Sequence, residues 1–547
     1  MAGVMHRPAL ATPSAEPVVI GDPKRPATLA EVEAVATGRA AVALHASVGG
    51  RARASEAMLD RLVADGRAIY GVTTGYGPLA DRQVAPEQGA ALQRKLVYHL
   101  ATGVGAPLPP AEARAVMCAR LLTLARGLSA VRPALLDWLC AALNAGLAPI
   151  IPEKGTVGAS GDLTPLAHMA LACMGAGAFW RDGHAAPADA VLRAHGLAPV
   201  ALGHKEGLAL VNGTSAMAGI AALNGTRARR LLRASALITC AYAEVLGGHR
   251  AAWHPLSAVA RAHPGQARAA ALLWALTADA PRLRPFAPAP PRIGATGPDG
   301  VGLATLPQDA YSIRCAPQLL GAVDEQLTHH DAVVARELTA VTDNPLVFPE
   351  DDVLLHAGNF FGQHVSFASD QLFNAVATLG VWAERQVARI TDPTLNRGLP
   401  PFLQGRATGL NSGFMGAQVT ASALVAELRA KSAPASIQSV PTNANNQDVV
   451  TMGTIAARRA GEGVTDVSRI LAIEALCVAQ AVELRTREDP RGFSTAARAV
   501  AAFVRARSAF LDEDRPLSAD IEAVAADLTA GALETESPGL APPLEEF

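Results

Sequence analysis

Aromatic side chains make up only 4% of the 547 residues, too few for the stacking platforms that bind single-stranded nucleic acid. No sign of charge dominates. With 47 basic and 49 acidic residues the formal net charge is −2, so the basic face of a nucleic-acid binder is not expected. No apolar run of membrane-spanning length is free of polar breaks; the nearest, from Leu135 to Ile151, contains Asp137 and Asn144. No membrane span is predicted. The first residues, M-A-G-V-M-H-R-P-A-L-A-T-P, lack a continuous apolar stretch, so no secretory signal is expected. The six cysteines, Cys118, Cys140, Cys173, Cys240, Cys315 and Cys477, form no C-x-x-C pair. They read as small buried hydrophobes of a reducing compartment, and a cytoplasmic location is expected. There is no H-E-x-x-H and no cluster of Cys and His, so no metal is expected. G-x-x-x-x-G-K-[ST] is missing, G-Y-G-P-L-A lacks the third glycine of a dinucleotide fingerprint, and Ser160 in G-A-S-G is not a hydrolase elbow.

What the chain does have is apolar residues in helical rhythm. Half of it is hydrophobic, with a mean hydropathy of +0.21. Its length suggests about three or four domains. Thr28 and Glu31 form a capping-box signature that predicts a helix from about Leu29. Helical patterns follow at 56–68, 86–102 and 110–146, around a Gly- and Pro-punctuated loop at 69–78. Long periodic segments stand at 214–246, 311–342, 363–392 and 447–486, separated by Pro- and Gly-rich stretches at 286–308 and 394–413. Strand-like alternation is rare. The expected class is mostly α, built on a bundle of long helices. The expected division is a loose arm at 1–17, a loop-rich domain at 18–210, the long-helix bundle at 211–490, C-terminal helices at 491–532 and a disordered tail at 533–547.

Residues 155–168, G-T-V-G-A-S-G-D-L-T-P-L-A-H, offer unusual chemistry. Ala159-Ser160-Gly161 sets a small residue, a dehydratable hydroxyl and a glycine in succession. Glycine lets the backbone fold back on itself. The Gly161 nitrogen then reaches the Ala159 carbonyl carbon, and loss of water closes a five-membered ring. Loss of the Ser160 hydroxyl leaves an exocyclic alkene, an electrophile that no unmodified side chain supplies. On local geometry alone a Gly-rich turn capped by Asp162, or a loop cradling an anion, accounts for the same residues.

The motif has company. Y-G-V-T-T-G at 70–75, L-V-N-G-T-S-A-M at 210–217, Q-D-A-Y-S-I-R-C-A-P-Q at 308–318, E-L-T-A-V-T-D-N-P at 337–345, G-N-F at 358–360 and N-N-Q-D-V-V at 445–450 occur in order. With these blocks the sequence resembles the histidine/phenylalanine/tyrosine ammonia-lyase family over about residues 20–530. That resemblance implies an α-helical fold of the fumarase/aspartase-like type with a loop-rich N-terminal domain. It also implies a homotetramer with shared active sites, and a 4-methylidene-imidazol-5-one (MIO) group formed from Ala159-Ser160-Gly161 without an external cofactor. Tyr70 matches the base that takes the substrate β-proton. Asn212 and Tyr311 match residues lining the MIO group. Arg314 matches the grip on the substrate carboxylate, a task suited to a planar two-donor fork. Asn344, Asn443 and Gln447 match polar pocket residues. The electrophile is left two routes, addition to the substrate amine or to its ring.

The implied substrate is a small aromatic amino acid, with neither nucleic acid nor membrane as partner. His99-Leu100, in L-V-Y-H-L, resembles tyrosine ammonia-lyases, where phenylalanine lyases have Phe-Leu and histidine lyases Ser-His. An imidazole at 99 pairs a phenolic hydroxyl and penalises the analogue lacking it. Gln447 stands where histidine lyases carry glutamate. Two residues depart from the pattern: Tyr76 replaces the phenylalanine of T-T-G-F-G, and Phe361 follows G-N-F where tyrosine lyases often have methionine. L-Tyrosine to trans-p-coumarate and ammonia is the expected reaction. The alternatives are a phenylalanine or dual-specificity lyase, an MIO aminomutase, a histidine lyase and an inactive helical scaffold.

Overall fold

The computed structural model describes residues 16–287, 307–406 and 409–540. It is mostly helical, with four small two-stranded sheets. The capping box forms as the sequence predicts. Thr28 caps α1 (Leu29–Ala36), its hydroxyl accepting from the Glu31 amide while Glu31 returns a bond to the Thr28 amide. Helix α2 (Val48–Ala64) starts eight residues before the predicted span and ends at a turn through Gly66, whose φ of +69° stops it. The 69–78 loop is present as turns leading to α3 (Gly89–Leu100). The single helical stretch expected at 110–146 is two, α4 (Pro110–Leu124) and α5 (Pro133–Asn144). Gly127 adopts φ +82°, and Pro133 begins a new helix at its first position.

Next come α6 (Leu163–Cys173), the short α7 (Ala188–Ala194) and α8 (Glu206–Val211). The long helices follow: α9 (Ser215–Val245, 31 residues), then Ala316–Thr339 (24), Gln363–Thr391 (29) and Gly453–Glu488 (36). The last is about 54 Å long. A one-turn helix, Tyr311–Arg314, precedes the second of them. A further short helix, Ala532–Glu536, occupies the start of the expected tail; residues 541–547, like 1–15, lie outside the described residues. No helix of the described residues is long and apolar enough to cross a membrane.

The chain divides into two compact units. The first comprises 1–226, 330–371 and 434–461. Its core is centred on α4, buried along nearly its whole length. Small residues set the spacing there: a Cβ on Gly219 of α9 would stand 2.7 Å from the Ala115 backbone, so the two helices meet backbone to backbone. The second unit comprises 227–329, 372–433 and 462–547. Its buried aromatics fix the Tyr311–Arg314 turn. The Trp253 indole donates to the Ile313 carbonyl at 2.8 Å, Tyr242 and Ser312 share a hydroxyl bond at 3.1 Å, and Gln386 donates to the Ser312 carbonyl at 2.8 Å.

Candidate active site

The Ala-Ser-Gly segment lies in a tight loop before α6, held from behind by the Asn212-Gly213 segment. The Asp162 amide donates to the Gly213 carbonyl at 2.7 Å, and the Gly213 amide to the Ser160 carbonyl at 3.3 Å. Gly161 has φ +71°, and a Cβ there would lie 2.1 Å from the Gly213 carbonyl oxygen. Only glycine fits on both counts. Asp162 anchors the loop to the start of α9: one carboxylate oxygen accepts from the Met217 amide at 2.8 Å, the other from the Thr454 hydroxyl. Burial pushes this carboxyl up to about 6, against the pull of those bonds.

Ala159 and Ser160 line a cavity of about 1160 Å³ within the first unit. The structure brings Tyr70, His99, Leu100, Asn212, Asn344, Asn443 and Gln447 to the same cavity. Tyr76 and Phe361, the two departures, line it as well. Its size is ample for an amino acid, since small-molecule sites span roughly 300–1,000 Å³.

Local bonds hold five of these residues, Tyr70, His99, Asn212, Asn344 and Gln447. The Tyr70 hydroxyl accepts from the Gly77 amide at 2.9 Å, and the Tyr70 amide donates to His356 Nε2 at 3.1 Å. Burial lowers the His356 pKa, which keeps that nitrogen an acceptor. His99 Nδ1 lies 3.3 Å from the Lys95 carbonyl oxygen. With Nδ1 donating, Nε2 is left as the acceptor of the ring. Asn212 donates to Asp343 Oδ1 at 3.3 Å and to the Asn344 carbonyl at 3.2 Å. The Asn344 side-chain oxygen accepts from the Ala357 amide at 2.7 Å. Gln447 Oε1 accepts from the Thr442 hydroxyl at 2.8 Å, and its Nε2 lies 3.5 Å from Ser160 Oγ.

Behind these residues lie groups the sequence did not single out. Lys205 and Asp343 form a wholly buried ion pair at 2.5 Å. Burial lowers the Lys205 pKa, partly offset by Asp343. Arg120 is wholly buried, 3.4 Å from the Ser215 hydroxyl. Burial brings it down to about 10, with Asp343 and Asp162 pulling the other way. Gln93, also wholly buried, bonds to both Gly71 and Tyr76. The one signal available for Lys205 and Asp343 was their position beside apolar or motif residues, Lys205 just before G-L-A-L-V and Asp343 inside T-D-N-P.

Tyr311 and Arg314 belong to the second unit and are not among the cavity's lining residues. Tyr311 is 69% exposed, and the Arg314 guanidinium carbon lies 4.8 Å from its ring centroid. Among the described residues Arg314 Nε has no hydrogen-bond partner. No group of three His, Cys, Asp or Glu among the described residues could hold a metal ion.

Known proteins resemble this chain over most of its length. The family described as "Aromatic amino acid lyase" matches residues 27–506. A tyrosine ammonia-lyase of Cereibacter sphaeroides is 49% identical over 506 residues, 91% of this chain and 95% of that protein. A histidine ammonia-lyase of Symbiobacterium thermophilum is 43% identical over 524 residues, covering 95% and 98%. Among solved structures, the tyrosine aminomutase of Streptomyces globisporus superposes with a TM-score of 0.89 at 39% identity, over 95% of this chain and 98% of that one. A match of this extent, over a chain that folds its Ala-Ser-Gly loop into the wall of a cavity, makes this protein a member of the aromatic amino acid lyase family.

Proposed function

We propose that the protein eliminates ammonia from L-tyrosine to give trans-p-coumarate. The observation that carries the reading is the gathering of Ala159-Ser160, Tyr70 and His99 around one cavity. The fit of an MIO group rests on the loop itself. Gly161 has the left-handed backbone and the absence of a Cβ that back-folding requires, and the half-buried Ser160 lines the cavity while Ala159 packs in a small apolar cluster. We take Ala159, Ser160 and Gly161 to close into the ring with loss of two waters. When formed, that group supplies an electrophilic alkene that turns the substrate amine into a leaving group.

The chain's own residues do the rest. Tyr70 acts in its phenolate form, taking the β-proton onto the oxygen that the Gly77 amide holds in place and returning to the phenol. His99 Nε2 accepts the phenolic hydrogen of the substrate. Asn212, steadied by Asp343, and Gln447 keep the loop aligned. Arg314 grips the carboxylate. The exposure of Tyr311 and the unpartnered Arg314 Nε suit a site completed by a second copy. We take the assembly to be a homotetramer in the cytoplasm.

The aminomutase reading is the second one. The likeness to the tyrosine aminomutase favours it, and it differs only in returning ammonia to the β-carbon. The test is a near-UV scan of purified protein with tyrosine, phenylalanine, L-DOPA and histidine, together with chromatography for β-amino acids. Growth of a conjugated acrylate from tyrosine above all supports the proposal. A β-amino acid as main product assigns the mutase, and acrylate from histidine alone overturns the substrate.

A further inference from the structure

One buried amide joins three segments of the cavity wall. Gln93, on α3, is wholly buried. Its Nε2 donates to the Gly71 carbonyl at 2.8 Å and to the Tyr76 hydroxyl at 3.1 Å. Its Oε1 accepts from the Leu208 amide at 2.9 Å. Both hydrogens are used and the orientation is fixed: a flipped amide would set N–H against the Leu208 N–H and oxygen against the Gly71 carbonyl.

Each of the three partners leads to the site. Gly71 follows Tyr70. Tyr76 meets the Tyr70 ring edge-on, 6.1 Å between centroids and 78° between planes, and it precedes Gly77, whose amide donates to the Tyr70 hydroxyl. A Cβ on Gly71 would lie 2.5 Å from Tyr76 Cε1, so the loop closes tightly on the Tyr76 ring. Leu208 lies on α8, which ends at Asn212. The contact is close, since a Cβ on Gly207 would stand 2.7 Å from the Gln93 carbonyl oxygen. Tyr76 replaces the phenylalanine of the family's motif, and its hydroxyl takes the second hydrogen of the amide. Burial pushes the Tyr76 pKa up, so this phenol stays neutral and serves as a tether.

We propose that Gln93 is a positioning residue for the Tyr70 hydroxyl, acting through Gly71 and Tyr76, and that it holds this loop in register with the Asn212 segment through Leu208. The inference rests on the reading of Tyr70 as the proton acceptor. Losing the amide cuts the loop's ties to α3 at Gly71 and Tyr76 and leaves its shape to packing and to its remaining bonds, such as those of the Tyr70 and Gly71 amides to His356 and Thr74. A misplacement of about 1 Å at a reacting group costs on the order of 10²-fold in rate.

The test uses Gln93→Leu, similar in size without the amide, and Tyr76→Phe, which removes one bond only. The readouts are kcat, KM, intact mass, and the kinetic isotope effect with β-deuterated tyrosine. For Gln93→Leu the expected result is a kcat about 10- to 100-fold lower, with KM changed less than about threefold, well short of the tenfold that 1.4 kcal/mol of binding would give. The two-water mass loss stays complete and the isotope effect rises, because proton removal alone has become slower. Tyr76→Phe should move kcat and the isotope effect in the same direction by a smaller factor. Isotope effects equal to wild type in the folded variants, or kcat and KM shifting together, would overturn the proposal. If Gln93→Leu does not fold, Tyr76→Phe decides: an unchanged isotope effect overturns it. Failure of the underlying reading looks different, since wild type itself would then lack the mass loss or form no acrylate.

Discussion

Gln447 Nε2 lies 3.5 Å from Ser160 Oγ, bringing together residues 287 apart in the chain. The amide therefore stands at the Ala-Ser-Gly loop as well as in the cavity wall. Its other atom is occupied by the Thr442 hydroxyl, so the N–H side faces the serine. A glutamate at this position would present an acceptor in place of that donor. Under the proposed function, the contrast between amide and carboxylate bears on the Ala-Ser-Gly loop and on the substrate at once.

The cofactor comes first. Intact mass of the wild type should fall two waters short of the encoded chain. Ser160→Ala removes the hydroxyl, so the water that hydroxyl supplies can no longer be lost and no alkene can form. The substitution adds no bulk, so the variant should fold and lose nearly all turnover. A wild-type chain of full encoded mass with full activity would sink the idea.

Tyr70→Phe removes the hydroxyl that accepts from Gly77 and keeps the ring against Tyr76. A general base contributes about 10²–10⁴-fold, so kcat should fall by that factor with the mass deficit intact. Turnover near wild type would assign the base elsewhere.

Arg314 lies outside the cavity lining of its own chain, and the proposed site needs it from a neighbour. Tyr70→Phe and Arg314→Ala, each inactive alone, should regain part of the wild-type activity when co-expressed, because in the proposed shared-site assembly mixed oligomers contain sites with both residues intact. No recovery in demonstrably mixed assemblies would place both groups in one chain or remove Arg314 from the site.

Asp162 gives a pH signature. Burial is the first cause of its rise from 3.8 to about 6, with Glu337 adding to it, against bonds from Thr454 and the Met217 and Ala216 amides. A carboxyl raised in the folded state contributes stability below pH 3.8 that is lost as pH passes through about 6. A shift of this size is worth about 3 kcal/mol. Asp162→Asn carries a constant cost from its lost acceptor but does not titrate. Denaturant unfolding of both proteins from pH 4 to 7 should show the wild-type advantage shrinking by about that amount. Parallel curves would mean the carboxyl is ionised throughout.

How much of this was legible follows from sequence distance. The Thr28–Glu31 capping box is a four-residue device, and it formed where the sequence placed it. The long helices at 215–245, 363–391 and 453–488 came from sustained periodicity. The break between α4 and α5 was missed because apolar residues continue through Gly127 and Pro133, and only the backbone reveals the turn. At the site, contiguous blocks announced Tyr70, the Ala-Ser-Gly loop and Asn212. Gln93, Lys205 and Asp343 were silent because their partners lie far along the chain, 115 residues away for Gln93 and Leu208 and 138 for Lys205 and Asp343.

Substrate choice rests on His99. It lines the cavity on the last turn of α3, one residue before Leu100. Its Nδ1 is 3.3 Å from the Lys95 carbonyl, a bond that fixes the tautomer and leaves Nε2 to accept a hydrogen. Tyrosine offers a phenolic O–H to that nitrogen; phenylalanine offers only C–H. His99 is exposed in the single chain; where bound substrate and a neighbouring copy shut out water, an unpaired polar group costs roughly 1–3 kcal/mol, or about 5- to 150-fold in kcat/KM. The wild type should prefer tyrosine by a factor in that range. His99→Phe should lose tyrosine activity and gain phenylalanine activity, since the unpaired nitrogen is gone and a second ring replaces it. The decisive measurement is kcat/KM for both substrates in both proteins. A ratio that moves by less than about threefold, well under the decade that 1.4 kcal/mol would give, would leave His99 a bystander on the cavity wall and put the choice of ring with the other lining residues, Phe361 among them.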